Sequence, residues 1–488
     1  MPTLSEILKS FLKGVSNSKV AVIGCTIAVV LFPVLLISVL LDLRGIISNP
    51  YFGFLIYMIM GPIFTIGLIL IAIGLFTSRG GEDIGLYTFE YIKEQLTLPG
   101  RFTRVRRMIF LVSFLTFATI FLVGVVSYTG FRYTESVSFC AQFCHQVMEP
   151  EFVTYRNSPH SQIPCVRCHI GQGAGLLTKA KISGFRQLFA VVFNTYHRPI
   201  QTPVEGLRPT RETCEQCHRP EMFHGDRLYI KHNYRQDREN THVQTVMLMR
   251  VGSGGYGGEE AHGIHWHISP EQTIEYTHTD TARKNIISVS VLNRDGTQRV
   301  FSRKDREPTE AGGGAGERET TRLMDCMDCH NRPTHVFLPL EDAVDRRIAT
   351  GEISAAIPFI KQQAVAVMGK EYADTEEARV NISRQLHAWY GEHFPEYAGK
   401  KKPLLDKAVQ AIYQAYAENI FPHMKITWNT YENFAGHRND SGCFRCHNEL
   451  LVDQAGKNIS QDCRICHIVL AREEENPEIL RILTAHHP

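Results

Sequence analysis

Three long runs without a charged residue, six cysteine pairs each followed directly by histidine, and one stretch of alternating β-branched residues predict the architecture. That architecture is three transmembrane helices, then a mostly helical, haem-packed region on one side of the bilayer, with a small β insertion. The apolar runs are residues 20–41, 53–76 and 108–128, and each has the ~20 apolar residues that a crossing needs. A cleavable signal peptide has a shorter apolar core and a small-residue cleavage site, so retained spans are expected. Pro33 and Pro62 fall in the first two runs and are expected to kink them.

Basic residues set the orientation. Lys9, Lys13 and Lys19 precede the first run, and Arg79, Lys93, Arg101, Arg104, Arg106 and Arg107 fill the loop before the third, whereas the loop 42–52 has only Arg44. The positive-inside rule puts the N-terminus in the cytoplasm and residues 129–488 in the periplasm, as a multi-pass protein of the inner membrane. The net charge of +2 gives no electrostatic footprint for a nucleic acid.

Twelve of the 13 cysteines form the pairs Cys140/Cys144, Cys165/Cys168, Cys214/Cys217, Cys326/Cys329, Cys443/Cys446 and Cys463/Cys466, followed by His145, His169, His218, His330, His447 and His467. Cys-x-x-Cys-His is the attachment signature of c-type haem: two thiols bond the porphyrin and the adjacent imidazole ligates iron. The first pair has one residue too many between its cysteines. The competing readings are a zinc ribbon, whose spacing residues 443–466 share, and disulfides. Neither calls for a histidine after every second cysteine, so six covalently bound haem c groups are expected, and the fold class is a membrane-anchored multihaem cytochrome c. Cys25, alone in an apolar run, reads as a small hydrophobe.

The chain divides as follows. Residues 1–130 are the membrane domain, and 131–235 hold the first three motifs. Within these, 175–197 has apolar residues at helical spacing beside Lys179, Lys181 and Arg186, as an interfacial helix or an ordinary surface helix would. Residues 236–325 are the β insertion, with Asp295-Gly296 as a hairpin signal and a glycine-rich linker at its end. Residues 326–340 hold the fourth motif, 341–436 are helical, with DKAVQAIYQAYAENI the clearest helix, and 437–488 hold the last two motifs and a C-terminal helix.

Each haem iron takes two axial ligands, and the second decides between a pure electron carrier and an open site. Of 22 histidines, six lie in the motifs, leaving sixteen. His160, His232, His265, His267, His335 and His437 are the candidate distal ligands; the bland reading of each is a surface or hydrogen-bonded histidine.

An apolar run ending in CHQVMEPEFVTYRNSPHSQIPCVRCHIG resembles the NapC/NirT family of membrane-anchored quinol dehydrogenases, which includes the NrfH-like partners of nitrite reductase. The resemblance is best over residues 108–230. RETCEQCH and MDCMDCHNRPTH are similar to longer members, including inner-membrane cytochromes of metal-respiring bacteria. It implies oxidation of menaquinol or ubiquinol and electron delivery to periplasmic cytochromes or a periplasmic reductase, in anaerobic or extracellular respiration. It also implies a methionine ligand to the first haem, for which Met148 is the counterpart. A lysine and an acidic residue six or seven positions later contact quinol in the family. Lys179 or Lys181 matches the first, and Gln187 falls near the second. An amide cannot take a proton as a carboxylate does, so Glu149 or Glu151 is the substitute. The chain departs from the pattern in having three apolar runs instead of one, six motifs instead of four, and the longer first motif. A subunit that only relays electrons in a larger complex, and a terminal reductase with one open haem, are the other readings. An oligomer is compatible with all of them.

Overall fold

The computed structural model describes residues 15–16, 18–46, 50–77, 102–143, 145–170, 174–203, 209–219, 225–252, 262–305, 319–437 and 441–485. It divides into two units, Met1–Gln146 and Val147–Pro488. The basic loop at 78–100, the glycine-rich linker at 311–317 and Cys144 lie outside the described residues.

In the first unit, α1 (Lys19–Leu43) starts at Ser18, whose hydroxyl accepts the Ala21 amide. A π-helical turn, Phe54–Met60, leads into α2 (Gly61–Thr77), and α3 (Phe102–Thr134) covers the third apolar run. Two stretches, Lys19–Asp42 and Tyr51–Gly74, are long and apolar enough to cross a membrane. Between lipid-facing helices there is no hydrophobic driving force, so close approach of backbones matters. Gly74 supplies it here: a Cβ there would collide with the Ala21 backbone. Leu35, Val39, Ile56, Tyr57, Phe64, Leu122 and Val126 form the buried cluster.

The second unit opens with α4 (His145–Arg156) and α5 (Ala174–Val192). Two antiparallel sheets follow. The first, ordered β1-β2-β8, joins β1 (Arg227–Tyr234) and β2 (His242–Met249) to β8 (His467–Glu474). The second, ordered β6-β3-β4-β5-β7, contains β3 (Gln272–His278), β4 (Ile286–Asn293), β5 (Gln298–Arg303), β6 (Thr320–Leu323) and β7 (Leu451–Val452). The expected hairpin joins β4 to β5. Gly296 there has φ +82, the left-handed region that glycine enters without strain. The β structure is less self-contained than an insertion over 236–325. β1 begins earlier, and β7 and β8 come from the last two motif segments. Ile468-Val469-Leu470 continues straight into β8 because Leu248 and Met247 of β2 pair with Ile468 and Val469. Only then does the short C-terminal helix α10 (Glu478–Ala485) begin.

Between the sheets in sequence lies a haem-free helical body of α6 (Leu340–Ala349), α7 (Ile360–Met368), α8 (Thr375–His393) and α9 (Lys402–Ala417). The expected helix is α9, which buries Leu405, Ala408, Val409, Ile412, Ala415 and Tyr416 at three-and-four spacing. The β1–β2 turn docks on this body through Asn240. Its amide donates to the Ala355 and Ile357 carbonyls at 2.9 and 2.7 Å and accepts the Lys361 amide at 3.0 Å.

Candidate haem centres

Each described motif from the second to the sixth folds as one tight helical turn. Cys165–His169 and Cys326–Cys329 are α-helical; Cys214–Gln216, Gly442–Arg445 and Cys463–Ile465 are 3-10 turns. One turn brings residues three apart to the same face, which is where two thioether sulfurs must stand to meet one porphyrin. The amides of His218, His330 and His447 close on the carbonyl of the first cysteine of their motif, at 2.8–3.0 Å. Cys140 sits instead in a π-helical stretch, Ser138–Phe143. A π turn closes i→i+5 and takes up one more residue than an α turn, as the longer first motif requires. Nothing is described of Cys144 or of the His145 side chain, and Met148 is half-buried on α4.

The polypeptide covers the motif cysteines unevenly. Cys168, Cys217, Cys443 and Cys463 are exposed, whereas Cys165, Cys214, Cys326, Cys329, Cys446 and Cys466 are half-buried. Cys217 ends the Cys214–Gln216 turn, with its amide 3.1 Å from the Cys214 carbonyl, and the next two residues, His218 and Arg219, are exposed as well.

The histidines pair. Ring centres of His160 and His218 lie 5.8 Å apart, His169 and His335 6.4 Å, His267 and His447 5.8 Å, and His437 and His467 6.1 Å. Two imidazoles on opposite sides of one metal, with bonds of about 2.0 Å and the ring nitrogen just over 1 Å from the ring centre, hold their centres ~6.3 Å apart. Burial lowers the His265 pKa, and the His330 and His267 charges lower it further. Four motif histidines thus have a second histidine at this spacing.

Backbone carbonyls fix the ring tautomers. His267 Nδ1 lies 2.8 Å from the Ile264 carbonyl, His447 Nδ1 2.6 Å from that of Ser460, and His335 Nδ1 2.9 Å from that of Glu151. A carbonyl only accepts, so Nδ1 carries the proton and Nε2 keeps the lone pair a metal needs. Haem therefore fits this donor set; it would be held through the paired cysteines and these imidazoles, and when bound it supplies one-electron redox chemistry. His232 is the candidate that no motif histidine meets among the described residues. It stacks on His242 across the β1–β2 hairpin, Nδ1 2.9 Å from Nε2, which leaves no room for a metal between them.

The motifs adjoin one another in chain order. Burial raises the Cys168 pKa, and the neighbouring Cys214 thiol adds to it; Cys214 likewise raises Cys326. Cys329 is pushed up to about 12 by burial and then by Cys443 and other neighbours, and Cys443 also raises Cys466. In the haem-bound protein these sulfurs are thioethers, and the couplings mark who neighbours whom.

Charged residues inside the motifs, which sequence reasoning passed over, hold the fourth and fifth together. The buried Asp328 carboxylate accepts Tyr276 Oη at 2.6 Å, Arg322 Nε at 3.1 Å, Arg283 Nη1 at 3.2 Å and the Asp325 amide at 2.8 Å. Arg445 of the fifth motif donates to the carbonyls of Asp328 and Arg283 and stacks over Phe434, 3.8 Å from its ring centre. The only signal in sequence is a charge in a variable motif position. A second such group is Arg332, which pairs with Glu151 at 3.2 Å, donates to the His335 carbonyl at 2.7 Å and lies 3.9 Å above the Tyr431 ring.

The quinol candidates lie on α5 and α4. Lys179 and Lys181 lie on α5, with side chains outside the description; Gln187 is exposed and donates to Ser183 Oγ at 3.4 Å. Glu151 is committed to Arg332 and His335, and Glu149 is exposed, 3.5 Å from His423.

Residues 103–222 match the NapC/NirT cytochrome c family, N-terminal region. The chain is 37% identical over 459 residues to cytochrome c-type protein ImcH of Geobacter sulfurreducens, covering 94% of this chain and 89% of that one. No solved structure matches. With its covalent haem motifs and apolar N-terminal helices, the chain belongs to the NapC/NirT family of membrane-anchored, electron-transferring c-type cytochromes.

Proposed function

We propose that the protein is a membrane quinol dehydrogenase. It oxidises menaquinol or ubiquinol and passes the electrons through six c-type haems to a periplasmic cytochrome or reductase. The observation that carries this reading is the pairing of four motif histidines with a second histidine at the spacing of two axial ligands. Irons ligated on both sides carry electrons and leave no site for an acceptor to bind, which favours a wire over a terminal reductase. Adjacent motifs in chain order give electrons short steps along it.

In this reading α3 is a third span, the N-terminus is cytoplasmic and the second unit is periplasmic. His145 and Met148 are the proposed ligands of the first haem. Lys179 or Lys181, with Gln187 beside it, is one proposed position of the quinol contact; with no carboxylate on α5, it competes with a position in the first unit.

The test uses purified, full-length holoprotein in lipid nanodiscs. Intact mass should exceed the polypeptide by six haem masses with no zinc; zinc in place of the last two haems would overturn their assignment. A menaquinol analogue should reduce the haems, and dithionite should reduce every one; Lys179→Ala or Lys181→Ala slows the quinol reaction at least about tenfold only if the contact lies on α5. Wild-type protein that dithionite reduces and quinol does not would overturn the proposal.

A further inference from the structure

Quinol oxidation releases two electrons and two protons, and α5 carries no carboxylate to take a proton. The first unit holds one. Asp42 is the sole acidic residue between Lys19 and Glu82, and it closes the first apolar run. An ionisable group at such a position is costly unless it is used or paired. Its Oδ2 accepts the Tyr57 hydroxyl at 2.5 Å, and Tyr57 is 5% exposed.

An aromatic chain runs from this pair to the first haem motif. The Tyr57 ring lies 6.2 Å from Tyr133, and Tyr133 lies 5.5 Å from Phe139, the residue before Cys140. Phe139 stacks on Phe143 at 5.7 Å, and Phe143 stacks on Phe54 at 4.3 Å. Both ends of the chain are π-helical: Phe54–Met60 carries Tyr57, and Ser138–Phe143 carries Cys140. π turns recur at functional sites because they re-aim side chains that an α-helix would align otherwise. The neighbouring Leu40, Leu41, Phe52 and Leu55 expose apolar surface, 53, 38, 52 and 43%, along which an isoprenoid tail in lipid can lie.

We propose that Asp42 and Tyr57 form the proton-accepting head-group site of a lipid-soluble quinol, built by the apolar helices that precede α3. The proposal rests on the quinol-dehydrogenase reading and on residues of the first unit alone. One quinol becomes one quinone. Its two O–H bonds break, and one proton goes to the Asp42 carboxylate while Tyr57 holds the head-group oxygen by hydrogen bonding. The second proton goes to water, and Asp42 later releases its own the same way. The two electrons need two one-electron acceptors, which covalent haem on the cysteine motifs would supply when bound.

The experiment uses full-length holoprotein in nanodiscs, with menadiol as reductant and a fluorescent hydroxyquinoline N-oxide as a redox-inert probe of the head-group site. Asp42→Asn should slow menadiol oxidation at least ~100-fold, the lower range for loss of a general base. Tyr57→Phe keeps the ring packed against Tyr133 and should weaken probe binding at least about fivefold. Haem content, visible spectrum and dithionite reduction should match wild type, and Asp42→Glu should recover part of the rate. If Asp42→Asn oxidises menadiol at the wild-type rate, or Tyr57→Phe binds the probe as wild type does, the site is refuted. Wild-type protein that oxidises no quinol at all would instead overturn the functional reading beneath it.

Discussion

Glu151→Gln probes how the protein sets the potential of one haem. His335, the proposed distal ligand facing His169, has its Nδ1 2.9 Å from the Glu151 carbonyl and 3.2 Å from the Glu151 carboxylate. An anion next to a ligating imidazole makes it a stronger donor and favours ferric over ferrous iron. The Nδ1–H bond itself goes to the backbone carbonyl and survives the substitution; what is lost is the carboxylate's charge, taken at about 1.5–3 kcal/mol, the range for a contact with a charged group. At ~2.3 kcal/mol per 100 mV for one charge, that is a ceiling of about 65–130 mV. Two features lower it. Arg332, nearly buried, stands 3.2 Å from the same carboxylate and neutralises part of its field. The carboxylate also faces the imidazole in both oxidation states, so only a fraction of its energy is differential. A rise of about 30–60 mV in the midpoint potential of a single haem is therefore expected. Arg332→Gln removes the opposing cation and should move the same haem the other way. Potentiometric titration of purified protein, followed in the haem α-band with full haem content verified by mass, reads both shifts. No shift beyond about 10 mV in either variant, or shifts of the same sign, would refute the electrostatic account of this ligand.

Two further outcomes follow from the same geometry. His160→Ala should leave one haem high-spin and able to bind carbon monoxide, whereas His232→Ala should leave every haem low-spin; the reverse pattern would show that the wrong histidine was paired with His218. Asp328→Asn leaves Arg283 beside a neutral group and Arg322 with Asp325 alone, and removing one partner of a buried pair costs about 3–5 kcal/mol. Tyr276→Phe loses one hydrogen bond to a charge, about 1.5–3 kcal/mol, so denaturant unfolding should rank wild type above Tyr276→Phe above Asp328→Asn. Equal stability of all three would mean the network contributes nothing.

What the sequence made legible depended on range. The five Cys-x-x-Cys-His motifs could be read because the chemistry is local: two sulfurs and an imidazole must lie within one turn, and the spacing records that. How far the chain covers each sulfur is not local, and so the exposure of Cys217 beside a half-buried Cys214 left no mark in the motif. The distal histidines could be shortlisted by residue type alone, and His160, His267, His335 and His437 lie beside motif histidines. His232 fell into the same list because nothing local separates a ligand from a histidine that stacks on its hairpin neighbour. His242 lies ten residues away, across a turn whose strand pairing is a tertiary fact.

The charges inside the motifs were harder to read. Asp328 and Arg445 occupy positions that attachment leaves free, so their identity carries no local signal. Asp328 is answered by Tyr276, 52 residues earlier, and Arg445 reaches the Asp328 carbonyl across 117 residues. A buried carboxylate with several donors costs less than one with a single partner because its lone pairs are all satisfied. That condition is met only once β3, β6 and both motifs are assembled. The variable residues of these motifs therefore position the haem-bearing turns relative to one another. Electron transfer depends on that separation more steeply than on any property of a single motif, so a multihaem chain has reason to place charged residues there.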